Sequence, residues 1–339
     1  MNKKERAAPR EVRMADVAKE AGVAPITVSR ALSTPDTVAP ETRRRIDEAI
    51  QRLGYVGNRA AGSLKSRRSN LVVVVIPSVT HHSLASMIQG ISEGLAPTGY
   101  HLVLATSGDS REEEEKILRA FLAQRPCAAV LHNTVHTDEC RRLLLQSGIP
   151  VIETGDLPPE PLDVAIGYSN FEAARSMTAH LASRGYRHIA FVYRWAERNE
   201  RTDERIRGYR AAIAQAGLPS DDGLLFGSDA GVAGGAQTLR RILAERPEVD
   251  AVFFTGNDTG AGAILACRRE GWAVPQRVAI AGYDDTGLAI CLQPTLTTLR
   301  IPRHEIGGAV ADTILARLAG REVARRQDLG FELCVRESS

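Results

Sequence analysis

Six successive residues, Leu71–Ile76 (LVVVVI), are apolar without a break, and this run constrains the fold more than any other feature of the chain. A strand with one wet face alternates apolar and polar residues, whereas an unbroken run needs cover on both faces. Similar runs recur at His101–Thr106, Ala128–His132, Val151–Glu153, Ile189–Tyr193, Ala251–Thr255 and Val278–Ala281. Helix-period stretches separate them, among them Arg111–Gln124, Phe171–Arg184, Arg205–Ala216 and Asp258–Arg269. Strands alternating with helices predict parallel α/β sheets joined by right-handed crossovers. The length of 339 residues leaves room for two such sheets. Ligands of these folds sit beyond the carboxyl ends of the strands.

The first 68 residues follow a different rule. They hold fifteen Lys/Arg against eight Asp/Glu, a balance of +7, while the remaining 271 residues carry −5. A small basic module joined to a larger acidic one points to a polyanionic partner for the first part. Val17, Ala18, Ala21 and Val23 form one short helical stripe that stops at Gly22. Pro25 can open a second helix, since its missing N–H belongs to the unpaired first turn. Val28 and Leu32 are expected to face inward from it. A third helix, Pro40 to Leu53, carries Ile46, Ala49, Ile50 and Leu53 inward and Arg43, Arg44 and Arg45 outward. Two short helices around a Gly-containing turn form a helix-turn-helix unit.

Three motifs in order extend this reading: D-V-A-x-x-A-G-V at Asp16–Val23, T-V-S-R at Thr27–Arg30 and G-Y-x-x-N-R at Gly54–Arg59. With them, residues 14–64 closely resemble the DNA-binding headpiece of the lac-repressor/galactose-repressor family. The resemblance implies a second helix lying in the major groove, with Pro25, Ile26 and Arg30 nearest the base edges. Arg30 is the best base reader, because a guanidinium matches the two acceptors of guanine. Thr27, Ser29, Thr42 and Asn58 suit phosphate contacts that set register, and Tyr55 and Arg59 complete the expected DNA-binding set. The segment Asn58–Leu64 matches the family's hinge helix, with Leu64 as the minor-groove wedge. Ala24 stands where the family usually has a hydroxyl residue, so a helix cap is expected to be missing. Gly57 replaces a frequent proline of the family.

The acidic part resembles the same family, whose core looks like a periplasmic sugar-binding protein with two α/β lobes around a cleft. The matching runs are Asn170–Arg175, Arg184–Ala190, Arg205–Tyr209, Gly256–Ala263 and Val278–Asp285. By position, Arg205, Asn257 and Asp284 match residues that hold the effector in the family. Asn and Asp exchange hydrogen bonds with hydroxyls, and Arg can clamp a carboxylate with two bonds. The segments Pro150–Glu153, Leu162–Arg175 and Gln327–Leu333 look like the gluconate-repressor branch, with Ser169 where an aspartate is usual. That branch responds to gluconate and related sugar acids, so a sugar acid is the preferred effector. Tyr168 is expected against its carbon chain, Glu153 as a hydroxyl acceptor, and Ser78 and His82 in a further cleft wall. Tyr283-Asp284-Asp285 follows the general sugar pattern of the family, which keeps a neutral sugar as the alternative.

The expected architecture is therefore an all-α helix-turn-helix headpiece at 1–56, a hinge at 57–69 and an α/β two-lobe core at 70–339. The first lobe is expected to comprise about 70–165 with 292–325, and the second 166–291 with 326–339. Glycines 256, 260 and 262 fit neither nucleotide fingerprint, and no P-loop lysine follows them. His81-His82 have no carboxylate beside them, so a pocket or hydrogen-bonding role suits them better than a metal. The run Glu112–Glu115 reads as helix N-terminal charge. No GxSxG elbow, HExxH or P-loop is present, so a sugar-processing enzyme is the weaker rival. Five cysteines without a CxxC pair fit reduced thiols. Without a stretch of eighteen apolar residues or a secretory signal, a cytoplasmic protein that avoids membranes is expected. No cofactor or metal is expected. The anticipated partners are double-stranded, pseudo-palindromic operator DNA, a small sugar-acid effector and a second copy of the chain, with a tetramer as the alternative.

Overall fold

The computed structural model describes residues 12–55, 69–79, 82–195, 199–219 and 221–339. The chain divides into two compact units between Ser69 and Asn70. No helix among the described residues is long and apolar enough to cross a membrane.

The first unit holds three helices, α1 (Met14–Ala21), α2 (Pro25–Ser33) and α3 (Pro40–Leu53). α1 ends at Gly22, whose left-handed φ of 65° lets Val23 N–H donate back to Ala18 O at 2.9 Å. The guanidinium of Arg45 donates to the carbonyls of Ala21 and Gly22, satisfying the exposed end of α1. Arg45 therefore ties α3 to α1 rather than simply facing outward. α2 starts with Pro25 in its first turn, and Ala24 supplies no side-chain cap. Val17, Ala18, Ala21, Val28, Ile46 and Ala49 fill the centre. Each fully buried valine or isoleucine there contributes about 1.5–3 kcal/mol of transfer free energy. The inward face of α2 is Val28 with Ala31, whereas Leu32 is 48% exposed. Ala31 and Leu32 flank the inward direction on opposite sides of the helix, and only the small alanine turns toward the partner helices.

The second unit contains two parallel sheets. The first, in the order β11-β5-β4-β3-β1-β2, combines β1 (Leu71–Ile76), β2 (His101–Thr106), β3 (Ala128–Leu131), β4 (Val151–Glu153), β5 (Val164–Gly167) and β11 (Arg326–Asp328). The second, β7-β6-β8-β9, is built from β6 (Ile189–Arg194), β7 (Leu225–Ser228), β8 (Ala251–Phe254) and β9 (Ala279–Ala281). A two-stranded antiparallel ribbon, β10 (Thr298–Arg300) with β12 (Glu332–Cys334), completes the strands. Five of the six residues of β1 are buried, as its unbroken apolar run requires.

The chain passes between the lobes three times: from β5 into α7 (Asn170–Ser183), from β10 into α12 (Arg303–Leu318), and from β11 into β12. The lobes are consequently apportioned differently from the sequence expectation. Residues 326–328 pair with β5 in the first sheet, so they do not join the second lobe. Leu292 and Leu296 pack in the core of the second lobe, not the first. Neither swap has a signal in local periodicity, because both depend on which sheet edge is open.

Helices pack in pairs: α12 on α4 (His82–Leu95), α7 on α8 (Glu200–Gln215), and α9 (Gly231–Glu245) on α10 (Asn257–Glu270). Glycine sets how closely they approach. A Cβ at Gly262 would lie 2.0 Å from the carbonyl oxygen of Val232, and one at Gly307 would lie 2.1 Å from that of Met87. The glycine-rich start of α10 thus serves helix packing, with no phosphate loop needed to explain it.

Candidate functional site

In the first unit, Pro25, Ile26 and Arg30 stand exposed on one helix, with Ile26 at 59%. Thr27 and Ser29 on the same helix, and Thr42 in α3, are half-buried. The Arg30 guanidinium has no protein partner among the described residues, so its five donors face solvent. Tyr55 is 9% exposed and belongs to the apolar centre of the unit, so its ring supports the fold. Asn58, Arg59 and Leu64 lie outside the described residues, as does Gly57.

Within the second unit a cavity of about 110 Å³ opens where strands of both lobes end. One buried water needs only about 10–15 Å³ on this measure, so the space suits a small polar ligand. Its lining includes Arg205 from α8, Asn257 and Asp258 from the start of α10, Asp284 after β9, and Arg303 from α12. This is the strand-end position that parallel α/β folds use for ligands. Arg194, Arg201, Thr202, His132 and Thr286 also line it. Four guanidiniums and two carboxylates thus line the cavity, with Arg201 also paired to Glu200 and Asp109 at its edge.

The arginines are held by a buried polar network. Arg205 Nε donates to Asn170 Oδ1 at 2.8 Å, and its Nη2 reaches Tyr168 OH at 3.5 Å. The guanidinium carbon lies 4.2 Å from the centre of the Tyr283 ring, a cation–π distance. Tyr283 OH donates to Tyr168 OH at 3.1 Å. Burial holds the Tyr283 hydroxyl well above its ordinary pKa, so it stays protonated and able to donate. Asn170 is fixed in turn, its Nδ2 donating to Gly155 O at 2.9 Å. Ser169 caps α7 by accepting from Glu172 N at 3.2 Å, which keeps the N-terminal geometry without the usual aspartate.

Arg303 grips Asp284 through both Nε (3.1 Å) and Nη2 (2.9 Å) and also reaches Tyr168 OH at 3.3 Å. Asp284 adopts a left-handed φ of 62°, a conformation rare for residues other than glycine, asparagine and aspartate. Asn257 Nδ2 donates to Thr286 Oγ1 at 2.6 Å, while Asn257 Oδ1 is buried and has no hydrogen-bond partner. A second set of contacts bridges the lobes at the cavity rim. Asn199 Nδ2 donates to Asp109 Oδ1 (2.9 Å), Arg201 Nη1 to Asn133 Oδ1 (2.9 Å), and Thr134 N to Glu200 Oε1 (3.2 Å).

The structure thus brings Arg205, Asn257 and Asp284 into one lining. Tyr168 is 1% exposed and sits behind that lining, gripped by both arginines rather than open to a carbon chain. Ser78 is half-buried next to Pro77, which does line the cavity. The side chain of His82 lies outside the described residues, as does His81. Glu153 departs furthest from expectation: it is fully buried within the first lobe, accepting from Leu162 N at 2.6 Å. Its other oxygen faces His136 Nε2 at 3.4 Å.

His136 is the centre of a buried cluster. Its Nδ1 meets Glu114 Oε1 at 2.5 Å, and Asn133 Nδ2 donates to Glu114 Oε2 at 2.8 Å. Glu114 therefore turns away from the solvated helix-terminal run in which the sequence places it. Burial opposes the imidazolium, but the nearby Cys140 sulfur, the hydrogen-bonded Glu114 carboxylate and the Glu153 carboxylate 3.4 Å away outweigh it and raise its pKa to about 11. Among the described residues, Glu114, His136 and Cys140 are the trio whose ligand atoms lie close enough to hold a metal, within 4.8 Å of one another. An ion there would have to displace the proton that already joins His136 to Glu114.

Sequence reasoning missed Arg303, Arg201, Arg194 and Asn170 as site residues. Asn170 was visible only as part of a helix-start motif, and Arg303 only as one arginine in a run of polar helix residues.

Known proteins match this arrangement. Residues 13–58 match the family described as "Bacterial regulatory proteins, lacI family", and residues 178–339 the "Periplasmic binding protein-like domain". The HTH-type transcriptional regulator GntR of Pseudomonas aeruginosa is 37% identical over 327 residues, covering 96% of this chain and 94% of the relative. The crystal structure of a LacI-family transcriptional regulator from Silicibacter pomeroyi superposes with a TM-score of 0.90 at 29% identity, covering 96% of this chain and 99% of that one. That of the transcription regulator GntR from Chromobacterium violaceum gives 0.75 at 36% identity, covering 79% and 99%.

Proposed function

The chain belongs to the LacI family of bacterial regulatory proteins, and from that premise we propose that it represses sugar-acid catabolism genes under control of a sugar acid bound in the core cleft. It is a DNA-binding transcriptional regulator and not an enzyme; the relatives that match nearly its whole length are named as regulators. The observation that carries the effector class is Arg205, a guanidinium in the cleft lining that is held by Asn170, Tyr168 and Tyr283 and has no ion-paired carboxylate among the described residues. A buried cation without a counter-charge is costly, and an anionic ligand removes that cost. The resemblance of three segments to the gluconate-repressor branch agrees with this choice.

In the proposed mechanism two chains pair about a two-fold axis, so that two recognition helices meet the half-sites of a pseudo-palindromic operator. Arg30 reads bases, Pro25 and Ile26 lie against the groove floor, and Thr27, Ser29 and Thr42 hold phosphates. Asn58, Arg59 and Leu64 act in the hinge. The sugar acid bridges Arg205, Arg303, Asn257 and the neighbouring carboxylates, drawing residues of both lobes together. The rim contacts of Asp109, Asn133 and Thr134 move with that closure and change the spacing of the paired hinges. A ligand shifts such an equilibrium only by its differential affinity for the two states. Release of the operator is the proposed response. Isothermal titration with gluconate and with glucose tests the effector class: gluconate is expected to bind and glucose to bind weakly. A hexose that binds well while gluconate does not bind would replace this reading with the neutral-sugar one.

A further inference from the structure

We propose that Arg303 determines the effector class, by occupying Oδ1 of Asp284, one of its two hydroxyl acceptors, and by giving the cleft a second guanidinium for a carboxylate. This inference rests on the sugar-acid reading above and adds the residue that enforces it. Arg303 is 8% exposed and enters the site directly after the chain crosses from the ribbon into α12. Its Nε and Nη2 are committed to Asp284 and Tyr168, while its Nη1 has no protein partner among the described residues. Arg205 is divided in the same way: Nε to Asn170, Nη2 to Tyr168, and Nη1 left over. Both residues line the cavity, and neither remaining amino group is sealed in the protein interior.

Charge balance gives the same answer. Asp284 neutralises Arg303, with a side chain 18% exposed against 8% for the arginine. No carboxylate forms an ion pair with Arg205 among the described residues, so one guanidinium charge of this pair remains unmatched. Asn257 Oδ1, buried without a partner in the same lining, needs a donor. A molecule carrying one carboxylate and several hydroxyls supplies both, with its anion at the two Nη1 groups and a hydroxyl at Asn257. A polyol without a carboxylate would leave the guanidinium charge unmatched. It would also find Asp284 Oδ1 already taken by two charge-assisted bonds, from Nε and Nη2 of Arg303, with only Oδ2, at 3.3 Å from Nη2, left to accept a hydroxyl.

The test uses gluconate and glucitol, which share a carbon chain and hydroxyls but differ in the carboxylate. Titration calorimetry on the full-length protein would compare the wild type with Arg303→Gln and Arg303→Lys, with thermal unfolding as a check on folding. The wild type is expected to favour gluconate. Arg303→Gln should cut that preference by about 10- to 100-fold, the range for one hydrogen bond to a charged group, with the loss falling on gluconate. Arg303→Lys, which keeps the charge without the second donor, should retain part of the preference. Variants that fold and keep the full wild-type preference would overturn the role of Arg303. A wild type that binds glucitol as tightly as gluconate would instead overturn the sugar-acid reading itself.

Discussion

Single residues divide into those whose chemistry alone announces them and those whose role depends on neighbours. Arg205, Asn257 and Asp284 are far apart in sequence, yet each sits in a motif whose strand-end or helix-start position was readable, and they meet in one lining. Glu153 and Tyr55 were legible as polar or aromatic residues in the right segments, but both face inward. A strand end can point its last side chain to either side of the sheet, and the sequence does not state which side carries the cleft. Arg303 left no signal, because its importance comes from Asp284, nineteen residues earlier, and from Tyr168. Two predictions belong here. Arg30→Ala should weaken specific DNA binding by about 1–3 kcal/mol while non-specific binding changes little, as read by fluorescence anisotropy on operator and random duplexes. His136 titrates near 11 in the folded chain against an ordinary 6.5. Its contribution to stability is therefore complete below about pH 6.5 and is lost as pH rises toward 11. Denaturant melts across that window should show the stability difference between wild type and His136→Gln shrinking as pH rises; a constant difference would contradict the charged-histidine account.

Elements were read well where one local period dominates. β1, β2, β4 and α3 coincide with the expected segments to the residue, because an unbroken apolar run or a 3.6-residue stripe is fixed by the residues inside it. β5, β7 and β11 escaped notice. They have three or four residues each, and β11 (RQD) contains no apolar residue at all, existing only because β5 offers an open edge. Helix pairing was likewise invisible, since the glycines that permit it look the same as glycines in turns. Two adjacent glycines of α12 separate the cases. At Gly307 a side chain would meet backbone atoms of α4, with Met87 O at 2.1 Å and Ile91 N at 2.9 Å, and backbone cannot step aside cheaply. At Gly308 nothing lies within 4 Å. Gly307→Val should therefore cost at least about 1–3 kcal/mol of stability in thermal or denaturant unfolding. Gly308→Ala should leave stability unchanged or raise it by up to about 1 kcal/mol, the difference in helix propensity. Equal effects at the two positions would argue against the close helix contact.

At the scale of the whole molecule, the charge division at residue 68 separated a DNA-facing module from a ligand-binding core before any motif was considered. The bulk charge of the core is misleading, however. That region carries a net −5, yet its cleft is lined by four arginines and two aspartates. Binding an anion depends on the few charges that face the ligand, and solvent screens the rest over about 8–10 Å. Cleft and operator are coupled, in the proposed mechanism, by an equilibrium between lobe arrangements rather than by direct contact. Such coupling commonly amounts to about 1–3 kcal/mol. The most direct test selects a tight-binding duplex from a random-sequence pool with the full-length protein, then measures its affinity as gluconate is added. The account predicts that saturating gluconate weakens operator binding by about 5- to 150-fold, while glucitol has little effect. Operator affinity that is unchanged or strengthened by gluconate would contradict it.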